Sequence, residues 1–226
     1  MTVLTNILNL YIFVMHRSNQ GIMKKILLLA LAIICSTTFF GQEIRFVKKC
    51  GGRTSDVVYK AIGRDSLEIL IGRQKSFHRY DAEHRNTSWR FCNPGSATDV
   101  FVSLKDGTYH IVGTSNGNRL DKYVKSNGLP WVQNMAYFCG ILVPAEGEMK
   151  YECFRPGTFT LHRMCARVEK KESYGNRTCV RVYPDGFAAK LFHADYFYSA
   201  QTGKLNGYRC VEGMPGTPET TWTLCR

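Results

Sequence analysis

Basic and aromatic side chains alternate along one stretch in the first half of this 226-residue chain. Cations contact phosphates and unpaired bases stack on aromatic rings, so this composition is typical of surfaces that bind single-stranded RNA. The pattern also suits a solvated loop whose rings anchor it to a core, and this is the interpretation that we favour. The RNA-binding candidates are Arg73, Lys75, Phe77, Arg79, Tyr80, Arg85, Trp89 and Arg90.

Histidines are the other candidates for chemistry. An imidazole exchanges protons near neutral pH, so His78, His110 and His193 are candidate acids or bases. Each also fits a partly buried, hydrogen-bonded ring, and we favour that interpretation for all three.

Cysteine usage points to an oxidising compartment. Eight of the nine cysteines lie beyond residue 41, and an even count in a secreted chain indicates disulfides of open pairing. A bond between Cys50 and Cys139 would close a long loop around the first half of the chain. Zinc would need a second close ligand pair beside His162 and Cys165, and the sequence offers none, so no metal is expected.

The first forty residues contain the pattern of an N-terminal targeting segment. Lys24 and Lys25 precede an almost unbroken apolar run over residues 26–34, and small polar residues follow. This is the pattern of a secretory signal peptide. We therefore interpret residues 23–41 as the signal peptide and residues 1–22 as an over-extended start.

The remaining chain is basic. Its 27 basic and 18 acidic side chains give a net charge of +9, compared with +12 for the whole sequence. This excess favours polyanionic partners, although a solvated surface has the same composition. The acceptor sequences for glycosylation at Asn86 and Asn176 agree with a secreted, extracellular protein, and no stable membrane insertion is expected after signal removal.

The elements that hold these residues are predicted from periodicity. Asp106-Gly107 separates two alternating runs within residues 98–117, which predicts a hairpin. Residues 54–62, after a glycine turn, are a candidate helix, and apolar residues at helical spacing predict a second helix over residues 158–171. Strands are predicted over residues 178–183, 188–198 and 205–211.

This order predicts an α+β fold in which one helix packs on an antiparallel sheet. The plan occurs twice, once in residues 42–141 and again in the smaller range 151–226. Residues 142–150, with a proline and a glycine, are the predicted linker.

A resemblance to a known family comes from short motifs. They are Cys-Gly-Gly-Arg-Thr-Ser-Asp-Val at residues 50–57, Ser-Phe-His-Arg-Tyr at 76–80, Ala-Thr-Asp-Val-Phe-Val at 97–102, Gly-Thr-Ser-Asn-Gly at 113–117 and Tyr-Phe-Cys at 137–139. Their order resembles the small extracellular fungal guanyl-preferring ribonucleases. The opening Tyr-Glu-Cys of the second module resembles the secreted ribonuclease-like effector candidates of powdery mildew fungi. The resemblance implies disulfides from Cys50 to Cys139 and from Cys153 to Cys225.

The same resemblance implies where RNA cleavage would take place. His78 matches the family's first histidine, and Glu83 is a candidate for its catalytic glutamate. Ser115 stands in place of the second histidine, so His110 would have to replace it. Thr98 or Asp99 stands where an arginine is expected, and an acid there would repel phosphate.

We therefore predict a secreted effector with a ribonuclease-like fold that has lost catalysis and binds host RNA or a host protein. Delivery into host cells and the oligomeric state are left open, and no cofactor is expected. One alternative is an active extracellular endoribonuclease that uses His78, Glu83 and His110. Another is a secreted structural or defence module without a nucleic-acid role.

Overall fold

The computed structural model describes residues 43–135, 143–186, 192–211 and 216–225. These residues form fourteen strands and two 3₁₀ turns, Pro94–Ser96 and Lys170–Glu172, and none of them is in an α-helix. The strands are β1 (Glu43–Cys50), β2 (Arg53–Ala61), β3 (Ser66–Ile71), β4 (Gln74–Tyr80), β5 (Asn86–Asn93), β6 (Thr98–Lys105), β7 (Thr108–Ser115), β8 (Asn118–Lys125), β9 (Met149–Phe154), β10 (Leu161–Val168), β11 (Arg177–Pro184), β12 (Ala194–Ser199), β13 (Leu205–Val211) and β14 (Glu219–Leu224). Within these ranges no helix has the length and apolarity needed to cross a membrane.

The strands form one antiparallel sheet in the order β8 to β1, then β14 to β9. β1 pairs with β2 on one side and with β14 on the other, so the sheet grows outward from β1 in both directions. The chain crosses from one edge of the sheet to the other between β8 and β9. Strands from both predicted modules therefore share one sheet, while the predicted boundary at residues 142–150 stays a prediction.

The α+β prediction is wrong, because both predicted helices are strands. Residues 54–61 fall in β2, which pairs with β1 and β3 and buries Val57, Tyr59 and Ala61 on alternate positions. Residues 158–171 contain β10, where His162, Met164, Ala166 and Val168 share a face by strand alternation. A spacing of four residues, as from Met164 to Val168, places two side chains on one face of a strand as well as of a helix, so the longer-range pairing decided the outcome.

The hairpin prediction is confirmed. Lys105 pairs with Thr108, and Asp106 and Gly107 have φ values of 50° and 71°. Two successive positive φ angles are the mark of a tight type I′ hairpin turn. The strand predicted over residues 205–211 is β13, and that over 178–183 lies in β11. For residues 188–198, β12 begins at Ala194, and residues 188–191 lie outside the described residues.

Two hydrophobic clusters fill the interior on either side of β9. The first cluster packs β1 to β3 against β9 to β14, and its members include Phe46, Tyr59, Tyr151 and Trp222. The second cluster packs β5 to β7 against the β9–β10 hairpin, and its members include Trp89, Tyr109, Trp131, Phe154 and Phe159. Because β9 is an edge strand with a cluster on each face, the sheet rolls up on itself.

The predicted disulfide stapling is wrong for the described cysteines. Cys50, Cys153 and Cys225 are free thiols. Cys153 lies on β9 at an edge of the sheet, while Cys225 follows β14 next to β1, and several strands separate them. A disulfide needs Cα atoms within about 7 Å. Cys139 lies outside the described residues.

Candidate ligand-binding cavity

The predicted RNA-binding residues divide between two faces of the sheet. On β4, Lys75 and Arg79 are exposed on the outer face, whereas Tyr80 is buried on the inner face. Trp89 is likewise buried in the second cluster. Tyr80 and Trp89 therefore cannot stack on bases. Phe77 is the one aromatic ring of the predicted set that lies on the outer face.

Several cations of the same set already have carboxylate partners. Lys75 Nζ lies 2.5 Å from Glu68. Arg90 donates two hydrogen bonds to Asp99, at 2.9 and 2.6 Å, and this pairing holds the pKa of the Asp99 carboxyl below its usual value. Arg85 is paired with Asp81 at 2.8 Å and with Glu83 at 2.9 Å, while Arg73 is exposed in the β3–β4 turn.

The three predicted catalytic residues are not brought together. His78 is 2% exposed on the inner face of β4, and burial lowers its pKa to about 3, so the ring is neutral. Glu83 lies in the β4–β5 turn. His110 is on the outer face of β7, where it bonds Asp121 at 3.0 Å and stacks on Tyr123. The two histidines therefore lie on opposite faces of the sheet.

The two glycosylation candidates differ in accessibility. Asn86 is 2% exposed, and its Oδ1 accepts a 2.7 Å hydrogen bond from the amide of Gln133. Its Nδ2, the atom that would carry a glycan, lies 3.5 Å from His78 Nδ1 inside the protein. Asn176 is exposed before β11. Glycosylation of either residue stays a prediction, and at Asn86 it would require these bonds to be replaced.

A cavity of about 680 Å³ lies against the inner faces of β9 to β13. This volume falls within the range of about 300–1,000 Å³ that is usual for small-molecule sites. Its lining residues are mostly apolar or aromatic. They are Val132, Gln133, Met135, Tyr151, Cys153, Phe154, Arg155, Pro156, His162, Met164, Val182, Pro184, Phe192, His193, Ala194, Tyr196 and Cys210.

Strand alternation and register bring these residues together. Tyr151 on β9 pairs with Met164 on β10, which in turn pairs with Pro184 on β11. A second row runs from Val182 through Ala194 to Cys210. Side chains in one row of an antiparallel sheet point to the same side, so the two rows form a continuous floor.

A wall segment, residues 130–135, closes one side of the cavity. The side chain of Gln133 bonds the backbone of Phe154 twice, donating to its carbonyl at 2.8 Å and accepting from its amide at 2.9 Å. Tyr198 donates a 2.8 Å hydrogen bond to the carbonyl of Met135. These bonds tie the wall segment to β9 and β12, and the cavity therefore has a fixed boundary.

The opposite face of β9 is held by a buried carboxylate clamp. Glu152 is fully buried and accepts hydrogen bonds from the hydroxyl of Tyr109 at 2.5 Å, from the hydroxyl of Ser126, and from the amide and side chain of Asn127 at 3.1 and 3.0 Å. Burial, followed by the bond to Glu152, raises the pKa of Tyr109. The clamp joins β7 and the segment after β8 to β9, and it turns the acidic group away from the cavity.

The cavity opens where its lining residues are exposed. These are Arg155, Pro156, His162 and His193. Deeper in the cavity, burial raises the pKa of the Cys153 thiol to about 12. A thiol that stays protonated is a weak nucleophile. Among the described residues no group of three or more His, Cys, Asp or Glu side chains could hold a metal ion.

Sequence reasoning missed this cavity. Of its lining residues only His193 and Cys153 were singled out, for other roles, while His162 was considered with Cys165 as an incomplete zinc pair. The available signal was the alternation of apolar and polar residues in β9 and β10. Residues 158–171 were assigned to a helix and residues 151–154 to no element, so the shared face of Tyr151 and Met164 was not visible.

Comparison with known proteins gives a similar fold and no family. A crystal structure described as a beta-barrel-like protein of the domain of unknown function DUF1849, from Brucella abortus, resembles this chain with a TM-score of 0.56 and 9% sequence identity. The match covers 83% of this chain and 97% of that one. No family model matches the sequence, and no curated protein matches it.

The resemblance to fungal ribonucleases and mildew effector candidates is therefore wrong. Those proteins pack a helix on a sheet, whereas the described chain is an antiparallel sheet and its structural neighbour is barrel-like. The short motifs that lie among the described residues fall in strands and in the turns between them, and Tyr-Phe-Cys at residues 137–139 lies outside the described residues. The predicted effector function, with its degenerate ribonuclease fold, loses the structural basis on which it rested.

Proposed function

We propose that this protein binds an apolar small molecule in the cavity between β9–β13 and the wall segment. The observation that carries the proposal is the cavity itself, about 680 Å³ with a mostly apolar and aromatic lining. Transfer of apolar surface from water into such a lining contributes roughly 25 cal/mol per Å². A preformed wall adds to affinity, because less ordering is needed on binding.

Binding is favoured over catalysis by the chemistry of the lining. None of the lining residues among the described part of the chain is an aspartate or a glutamate. The Cys153 thiol is protonated, and His162 Nε2 lies 2.9 Å from the Thr160 hydroxyl without a described carboxylate to orient the ring as a general base. The groups present can orient a ligand by hydrogen bonds and charge.

We also propose that binding takes place outside the cytoplasm, after removal of residues 23–41. The support is the layout of that segment, with two lysines, an apolar run and small polar residues. The first strand of the described residues, β1, begins at Glu43, soon after this segment.

The test uses the neutral fluorescent probe N-phenylnaphthylamine, which brightens in apolar surroundings. We expect the purified protein to bind it saturably. Met164→Trp and Ala194→Phe, which fill the floor of the cavity, should each weaken binding at least tenfold. Arg163→Trp is the matched control, because Arg163 is exposed on the opposite face of β10 and should not affect binding.

Circular dichroism and thermal melting establish which variants fold. Absence of saturable binding to the wild-type protein would refute the proposal. Equal binding by wild-type protein and by either folded cavity variant would refute it as well.

A further inference from the structure

We infer that the ligand in this cavity is an anionic amphiphile, with its chain along the floor and its oxyanion head group at Arg155 and His162. The inference rests on the proposed function and adds the chemical class of the ligand. The inference follows from the cation that faces the cavity and from the carboxylates that are turned away from it.

Arg155 supplies the positive charge at the opening. It is exposed, lines the cavity and has no ion pair with a carboxylate in the described part of the chain. A guanidinium group presents several N–H donors in a planar fork that matches a carboxylate or a phosphate. His162 lies beside it in the lining, and His193 is also exposed at the opening.

Three carboxylates lie next to lining residues in the sequence, and all three are directed elsewhere. Glu152 precedes Cys153 and is buried in the clamp with Tyr109 on the other face of β9. Asp185 follows Pro184 and pairs with Lys150 at 3.3 Å. Each acid is neutralised by donors or cations outside the cavity.

Asp195 is the third of these carboxylates, and its side chain is also directed away from the cavity. It stands between the lining residues Ala194 and Tyr196, but strand alternation places it on the outer face. There it accepts hydrogen bonds from Arg181 at 2.8 and 3.0 Å and from Arg209 at 2.7 Å. The described lining therefore keeps the Arg155 cation and has no acid to oppose it, a distribution that attracts an anion and repels a cation.

The backbone around Arg155 is fixed before any ligand arrives. In the β9–β10 turn, the Arg155 amide donates to the carbonyl of Thr160 at 3.0 Å, and the Phe159 amide donates to the carbonyl of Arg155 at 2.9 Å. The Phe159 side chain is fully buried in the second cluster, where it contacts Trp89 and Phe91. The turn is thus anchored on one side while Arg155 stays at the opening.

The chain of the amphiphile would lie on apolar surface below this head-group site. Met164 and Val182 supply aliphatic surface, and Tyr196 supplies an aromatic wall that packs on Tyr208 with ring centroids 4.9 Å apart. An apolar floor with a cation at its entrance matches a single-chain carboxylate or phosphate ester.

Displacement of N-phenylnaphthylamine by four straight-chain ligands of equal carbon number tests the inference. Lauric acid and lauryl phosphate carry an oxyanion, dodecanol is neutral and dodecylamine is cationic. We expect at least one of the oxyanions to bind about tenfold or more tightly than dodecanol, as a charge-assisted contact requires, and dodecylamine to bind most weakly. The two oxyanions distinguish a carboxylate source from a phosphate source.

Arg155→Gln and Arg163→Gln form the matched pair of variants, since each removes one exposed cation from one side of the β9–β10 hairpin. Arg155→Gln should abolish most of the preference for the oxyanion and leave dodecanol binding unchanged, whereas Arg163→Gln should keep the preference. Equal binding of the oxyanions and dodecanol, or an equal loss in both variants, would overturn the inference. If neutral ligands bind without an oxyanion preference, the proposed function survives alone, and if none of the ligands binds, both fail.

Discussion

Replacing His78 should remove part of the pH dependence of folding. The ring is 2% exposed, with Ser76 Oγ 2.6 Å from its Nε2 and Asn86 Nδ2 3.5 Å from its Nδ1. Burial lowers its pKa from 6.5 to about 3 in the folded protein. Between these two values the unfolded chain binds a proton at this site and the folded protein does not, so stability falls as the pH falls.

The magnitude follows from the size of the shift. Each pH unit between the unfolded and folded pKa values changes the free energy of unfolding by about 1.4 kcal/mol. The contribution of His78 to the free energy of unfolding is fully present above pH 6.5. It is lost progressively toward pH 3, by about 5 kcal/mol in total. Carboxylates that titrate in the same range affect the wild-type protein and the variant alike, so the difference between the two isolates His78.

Urea unfolding of wild-type protein and His78→Gln at a series of pH values from 7 to 4 measures this difference. Glutamine can still bond Ser76 but does not titrate, so the variant should lose stability less steeply on acidification, by about 1.4 kcal/mol per pH unit below pH 6. Phe77→Ala, on the outer face of the same strand, controls for destabilisation without a titratable group and should keep the wild-type slope. Parallel curves for wild type and His78→Gln would refute the reasoning that His78 is buried and neutral.

Three further predictions concern the fold. Glu152→Gln should lower the free energy of unfolding by about 3 kcal/mol, because an amide group would then face four hydrogen-bond donors, and an unchanged urea midpoint would contradict the clamp. Gly113→Ala should cost about 1–3 kcal/mol in the same assay, since φ is 139° and its Cβ would lie 2.1 Å from a backbone oxygen of β6. Gly117→Ala, where a Cβ meets open space, should cost only about 1 kcal/mol, and equal losses would argue against the close approach. Non-reducing peptide mapping should find no bond between Cys153 and Cys225, and detection of that bond would contradict the strand order.

Local signals in the sequence were sufficient for part of the fold. Asp106-Gly107 predicts its hairpin because two positive φ angles are a property of those two residues and need no tertiary context. The strand over residues 205–211 is likewise marked by turn residues before it. Such features are determined within a few residues of chain.

The helix predictions failed because the pattern was ambiguous and the deciding contacts are distant. β2 is held between β1 and β3, and β10 between β9 and β11, so backbone pairing outweighs a weak helical spacing. In β2 the adjacent Val57 and Val58 are β-branched, which favours a strand. That composition was the available counter-evidence.

The cavity could not be predicted from the chain for a related reason. Its opening depends on Arg155 and His162 lying together, which follows from the register of β9 on β10. The absence of acids from its described lining depends on the alternation that turns Glu152 and Asp195 to other faces. Shifting either strand by one residue would exchange the two faces, so the site follows from sheet register and not from a motif.

The central claim, a ligand cavity inside the rolled sheet, is tested most directly by a crystal structure of the protein grown with a terminally brominated dodecanoate. We expect anomalous density for bromine among Met164, Val182 and Tyr196, with the carboxylate beside Arg155. Bromine density confined to the outer surface, or its absence from crystals at saturating ligand concentration, would contradict the claim.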